Sequence, residues 1–288
     1  MKEQVTVPGI RARKRSRGAE PIVMITAYDA PFARVVDQAG VDIILVGDTL
    51  AEVVLGWEDT LHVGIEDLAH HVGAVARARP RALLVGDMPW LTYHLEASDT
   101  VRNAAILVQA GAHAVKLEGG RRRVPAVRAI TDAEIPVMGH LGLTPQSVHA
   151  MGGYKVQGRE ALAAGELRQD AEALAASGCF AIVLEGVPDA LAERITAEVD
   201  IPTIGIGAGP GCDGQVIVLH DLLGLAGTRV PKFVRRYAEL GSTATEAVRD
   251  WACDVREGRY PSEAESYHAS AELRSALGLA SSEGRPAV

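Results

Sequence analysis

Eight short runs of aliphatic residues recur along this chain, and each breaks off in a polar or glycine-rich turn. They cover residues 22–26, 42–46, 82–85, 114–117, 136–139, 181–184, 203–206 and 216–219. The runs are continuously apolar rather than alternating, which is the pattern of strands buried on both faces. Most gaps hold stretches with apolar residues at three- and four-residue spacing: 32–38, 66–79, 98–109, 124–133, 162–177 and 189–198. Asp29-Ala30-Pro31 and Thr144-Pro145 read as helix starts, with proline where its missing N–H costs nothing. Strand–helix alternation repeated eight times predicts an α/β chain folded as a (β/α)8 TIM barrel in a single domain. An open doubly wound sheet is the rival, because strand order is not written in the sequence. The gap at 207–215 is too short for a crossover helix, so the helix before the eighth strand is expected to be vestigial.

The 288-residue length suits one barrel, expected over 1–268, with a further helix near 230–258 and a loose Ala/Ser-rich tail at 269–288. Aromatics make up only 4%, so the core must be built from Val, Ile and Leu. The net charge of −8 argues against a nucleic-acid-coating protein, and the basic cluster Arg11, Arg13, Lys14, Arg15 and Arg17 is read as a solvated segment. No apolar run is long enough to cross a membrane, and the first 18 residues lack the apolar centre of a signal peptide. Three scattered cysteines, Cys179, Cys212 and Cys253, suit a reducing compartment and form no zinc motif.

The polar residues at the strand ends carry the functional reading, because barrel enzymes build their sites on that rim. The first strand runs into Tyr28-Asp29 and the second into Asp48-Thr49. The third ends in Asp87, the fourth carries Lys116 and Glu118, the fifth ends in His140, the sixth in Glu185 and the eighth in His220-Asp221. Helix capping explains any one of these, but not Lys116, Glu185 or the whole ring. Asp48, Asp87 and Glu118 fall on adjacent strands, where three carboxylates repel one another unless a cation lies among them. Few, hard oxygen ligands suit Mg²⁺. Glu185, at the end of an apolar strand across the barrel, is a candidate general base. The segment 209–214 formally matches GxGxxG, but a strand follows it rather than a helix, so an anion-binding or close-approach role is expected in place of a dinucleotide site.

Several segments together resemble one known family, ketopantoate hydroxymethyltransferase. They include Met24-Ile-Thr-Ala-Tyr-Asp-Ala30, Val46-Gly-Asp-Thr-Leu50, Gly86-Asp-Met-Pro89, Val115-Lys-Leu-Glu-Gly-Gly120, Gly139-His-Leu-Gly-Leu-Thr-Pro-Gln-Ser147, Val183-Leu-Glu185 and Ile204-Gly-Ile-Gly-Ala-Gly209, in order across residues 5–268. The resemblance implies hydroxymethyl transfer from 5,10-methylenetetrahydrofolate to 3-methyl-2-oxobutanoate, giving 2-dehydropantoate for coenzyme A biosynthesis through a Mg²⁺-stabilised enolate. It implies one Mg²⁺ per subunit, a cytoplasmic home and a homo-oligomer, commonly a decamer. It assigns Asp48, Asp87 and Glu118 to the metal and Asp48, Thr49, Asp87, Lys116 and His140 to the ketoacid. Glu185 corresponds to the proton acceptor. Thr49 stands where the family usually has Ser. The Gly-flanked segment 154–159 is expected to act as a lid. The alternatives are a Mg²⁺-dependent ketoacid lyase or mutase of the phosphoenolpyruvate mutase type, for which no cysteine is suitably placed, and a non-catalytic binding barrel.

Overall fold

The computed structural model describes residues 3–15, 18–227 and 231–279. Eight parallel strands close into a barrel in chain order: β1 (Ile22–Thr26), β2 (Ile43–Val46), β3 (Leu83–Asp87), β4 (Ala114–Glu118), β5 (Val137–Gly142), β6 (Ala181–Glu185), β7 (Thr203–Ile206) and β8 (Gly214–Ile217). The open-sheet alternative is therefore excluded. The helices are α1 (Val7–Arg11), α2 (Ala30–Gln38), α3 (Leu50–Val53), α4 (Ile65–Ala76), α5 (Ala97–Ala110), α6 (Val124–Asp132), α7 (Val148–Met151), α8 (Ala161–Ala176), α9 (Asp189–Glu198), α10 (Leu219–Leu222), α11 (Leu240–Arg256) and α12 (Ala271–Ala276). The chain falls into two compact units, 1–238 and 239–288. The helix expected near 230–258 forms as α11, in the second unit.

The strands from β2 to β7 bury both faces, as their continuous apolar runs require, while Val23 of β1 and Gln215 of β8 are exposed. One face fills the barrel interior with Ile22, Met24, Ile43, Leu45, Val85, Met138, Val183 and Ile204. The other packs under the helices through Ile25, Ile44, Leu84, Leu117, Ile182 and Leu184. The floor is sealed by α1, whose Ile10 belongs to the interior cluster and whose N-terminus is capped by Thr6. Beyond α1, Lys14 is only 3% exposed and pairs with buried Asp213 at 2.8 Å. Asp213 also accepts the Arg15 and Thr203 N–H groups, which ties the N-terminal segment to the starts of β7 and β8. The basic cluster is thus not a solvated segment throughout. Arg13 also pairs with Asp42, while Arg17 lies outside the described residues.

No helix separates β7 from β8. The intervening glycine loop lies directly against α9: a Cβ on Gly209, which has φ +74°, would meet the Asp189 Cβ at 2.4 Å, and one on Gly211 would meet the Glu193 Cβ at 2.8 Å. Close backbone approach is what these glycines permit.

Candidate active site

Strand periodicity builds the site. Side chains two residues apart share a face, so the apolar interior layer continues upward into polar residues: Val85 into Asp87, Ala114 into Lys116 and Glu118, Met138 into His140, and Val183 into Glu185. Register aligns them around the wall, with Asp87 opposite Lys116, Glu118 opposite His140 and Gly142 opposite Glu185. Asp48 joins from the loop after β2, where its backbone N–H donates to Asp87 Oδ2 at 3.3 Å. Asp48, Asp87, Lys116, Glu118 and His140 are all buried, and Glu185 is partly so.

Lys116 Nζ holds Asp87 Oδ2 at 2.7 Å. His140 bridges the next two acids, with Nδ1 3.3 Å from Glu118 Oε1 and Nε2 3.2 Å from Glu185 Oε2. Burial pushes Asp48 well above the usual carboxylate range, and the charges of Asp87 and Glu118 push it further. Burial also raises Asp87, against the pull of Lys116. Burial and Lys116 lower His140, but Glu118 and Glu185 outweigh them and hold it at about 9. Lys116 is likewise held above its ordinary value, because Asp87, Glu118 and Asp48 outweigh its burial. Both cations are therefore charged at neutral pH.

Two further residues knit the acids together. Gln146 donates its side-chain amide to Asp48 Oδ2 at 2.8 Å and to the Met88 carbonyl at 3.0 Å, while its backbone N–H donates to Glu118 Oε2 at 3.0 Å. The Tyr93 hydroxyl donates to Gln146 Oε1 at 2.5 Å and accepts the Glu118 N–H at 3.2 Å. Gln146 was visible only as part of the Gly139–Ser147 run and Tyr93 carried no signal, since both lie in connections after strands, which strand patterning does not reach. Thr49 precedes α3 without capping it, which leaves its hydroxyl unused there. The 154–159 segment reaches neighbouring loops: the Tyr154 hydroxyl donates to Glu52 at 3.4 Å and the Gln157 N–H to the Gly186 carbonyl at 2.9 Å.

The donor set fits a hard divalent cation. Asp87 Oδ1 is buried without a hydrogen-bond partner, and the Asp48–Asp87 repulsion is only partly offset by Lys116. Among the described residues, no three His, Cys, Asp or Glu side chains are arranged to enclose a metal. Glu118 is engaged by Gln146 and His140 rather than drawn in with the two aspartates. A cation here would complete its shell with water and substrate oxygens, as Mg²⁺ commonly does.

Residues 4–263 match the family ketopantoate hydroxymethyltransferase. A 3-methyl-2-oxobutanoate hydroxymethyltransferase of Methylobacterium sp. (strain 4-46) is 57% identical over 272 residues, covering 94% of each chain. The enzyme of the same name from Pelobacter propionicus is 52% identical over 269 residues, covering 93% of this chain and 99% of that one. Among solved structures, phosphonopyruvate hydrolase in complex with oxalate and Mg²⁺ superposes with a TM-score of 0.59 at 15% identity, covering 94% of each chain. Oxaloacetate acetylhydrolase also reaches 0.59 at 15% identity over 88% of each. These two likenesses bear on the barrel fold.

Proposed function

The chain belongs to the ketopantoate hydroxymethyltransferase family, and on that premise we propose that it transfers the one-carbon unit of 5,10-methylenetetrahydrofolate to 3-methyl-2-oxobutanoate. The product is 2-dehydropantoate, in the cytoplasmic route to coenzyme A. The observation that carries this reading is the buried chain of alternating charge from Asp48 and Asp87 through Lys116, Glu118 and His140 to Glu185. It crowns an otherwise apolar interior. A purely structural barrel has no need of it.

Asp48 and Asp87 would hold Mg²⁺, with Glu118 next along the wall. Bound there, the ion supplies positive charge to the ketoacid's carboxylate and keto oxygens, which makes the neighbouring C3–H more acidic. Lys116 adds a second positive charge beside Asp87, suited to an anionic substrate oxygen. The Thr49 hydroxyl offers a further donor. Glu185 takes the C3 proton, and the C–H electron pair passes into the enolate. His140 lies between Glu118 and Glu185 at ion-pair distance and sets a positive charge beside the base. Water releases the folate's methylene carbon at the formaldehyde level: both C–N bonds break, the two nitrogens take up the protons, and tetrahydrofolate leaves. The enolate carbon then bonds to that carbon, and its C=O electron pair goes to the oxygen, which takes the proton held by Glu185 and becomes the new hydroxyl. The 154–159 segment closes over the mouth to exclude bulk water. The lyase or mutase alternative has only the shared fold behind it.

The test is exchange of the ketoacid C3 hydrogen in D₂O with Mg²⁺ and no folate. Glu185→Gln keeps the shape but accepts no proton. Exchange should fall by at least 100-fold, while calorimetry still registers ketoacid binding. Exchange at the wild-type rate removes Glu185 as the base.

A further inference from the structure

Tyr28 stands at the barrel mouth with no part in the chemistry above. It lies two residues beyond the end of β1, where the charges of Asp48, Asp87 and Asp221 reach its phenol. Its carbonyl accepts the His71 Nδ1–H at 2.7 Å, and its ring lies 5.6 Å from that of His220. The residue is 3% exposed, yet its hydroxyl has no hydrogen-bond partner. Thr26 is near enough to act on the phenol, and its Oγ1 accepts the Leu219 N–H at 3.1 Å. Burial, and then the charges of Asp48, Asp87 and Asp221, hold the phenol above its ordinary pKa. It is therefore a neutral donor at all working pH values.

A buried hydroxyl left unpaired is destabilising, and such exceptions mark sites that wait for a ligand. The groups facing it are carboxylates, which repel an anionic substrate. A neutral O–H is the kind of group that can meet such a substrate without a charge penalty. We infer that the Tyr28 hydroxyl is a substrate-contacting donor, hydrogen-bonded in the complex to an oxygen at the carboxylate-and-keto end of the ketoacid. The inference rests on the functional reading given above and adds a binding residue to it.

The experiment compares the full chain with its Tyr28→Phe variant, by calorimetric titration with Mg²⁺ alone and then with 3-methyl-2-oxobutanoate in saturating Mg²⁺. Thermal melts without ligand accompany both. The variant should bind the ketoacid about tenfold more weakly, the usual loss for one hydrogen bond to a charged acceptor. Its Mg²⁺ affinity should match wild type. Its ligand-free melting temperature should be equal or higher, because an unpaired hydroxyl has gone. Unchanged ketoacid affinity overturns the contact. So does a loss of Mg²⁺ affinity equal to the loss of ketoacid affinity, which would place the hydroxyl on the metal's side. A fall in ligand-free stability with ketoacid affinity intact assigns it to the fold instead. Wild-type protein that binds no ketoacid overturns the functional reading itself, and the contact with it.

Discussion

Asp48 and Asp87 are buried side by side, but only Asp87 has a cation against it. The two aspartates therefore respond oppositely to neutralisation. Asp48→Asn removes a repulsive charge and keeps an oxygen for the Gln146 amide. Metal-free protein carrying it should melt roughly 3 °C higher than wild type at pH 7. Asp87→Asn strips Lys116 of its partner and leaves a buried ammonium poorly compensated, at a cost of about 3–5 kcal/mol. Both variants should lose the stabilisation that Mg²⁺ gives wild type. The pH dependence has a definite sign. Asp48 and Asp87 hold protons more tightly folded than unfolded, so metal-free stability falls as pH rises past the ordinary carboxylate range near 4. His140 is raised from 6.5 to about 9, so its contribution is complete below 6.5 and is lost as pH climbs through 9. Mg²⁺ competes with the aspartate protons, and its stabilising effect should grow between pH 4.5 and 7. Scanning calorimetry in EDTA and in Mg²⁺ checks all of this. An Mg²⁺ shift retained in full by both variants would place the metal elsewhere.

At the scale of elements, the N-terminal segment is part of the barrel rather than an appendage. α1 plugs the floor with Ile10, and Lys14 reaches Asp213 and the Thr196 carbonyl. Lys14→Met leaves Asp213 buried without its cation and should cost about 3–5 kcal/mol in urea unfolding. Lys14→Met combined with Asp213→Asn should cost less than the single change at Lys14, because no lone charge remains. Equal or greater loss in the double variant would show that Lys14 matters by packing alone. This pair also marks where sequence reading stops. Strands buried on both faces declare themselves by aliphatic content alone, so all eight lie within a few residues of their expected places. β8 begins at Gly214 rather than 216, because a glycine carries no apolar signal; a Cβ there would meet the Ile22 carbonyl at 2.4 Å. β5 runs on to Gly142, because its polar end pairs with β6 up to Glu185. Lys14 looked solvated because its partner is 199 residues away. The ring of rim residues was legible because parity and strand ends project them onto one face. Gln146, Tyr93 and the unpaired Tyr28 hydroxyl were not, since hydrogen-bond partners are settled by loops in three dimensions.

For the whole molecule, the second unit poses a stability problem. α11 is 17 residues long and sets Val248, Trp251 and Val255 along one side, yet no residue between 239 and 279 is buried. Trp251 is 54% exposed, and its ring touches only that of Tyr260 among the described aromatic contacts. A helix gains most of its stability by packing an apolar face, and a unit of this size without a core does not hold alone. The apolar stripe is therefore a candidate packing face. One partner for it is a second copy of the chain, in keeping with the homo-oligomer that the family resemblance implies. Light scattering at micromolar concentration should give a mass well above that of a dimer. Trp251→Lys places a charge in the middle of the stripe and should lower that mass, while circular dichroism still reports an intact barrel. Melting temperature should rise with wild-type concentration, because association stabilises by mass action, and should depend less on concentration in the variant. A wild-type monomer at micromolar concentration would refute the assembly, and an unchanged mass in Trp251→Lys would move the interface off α11.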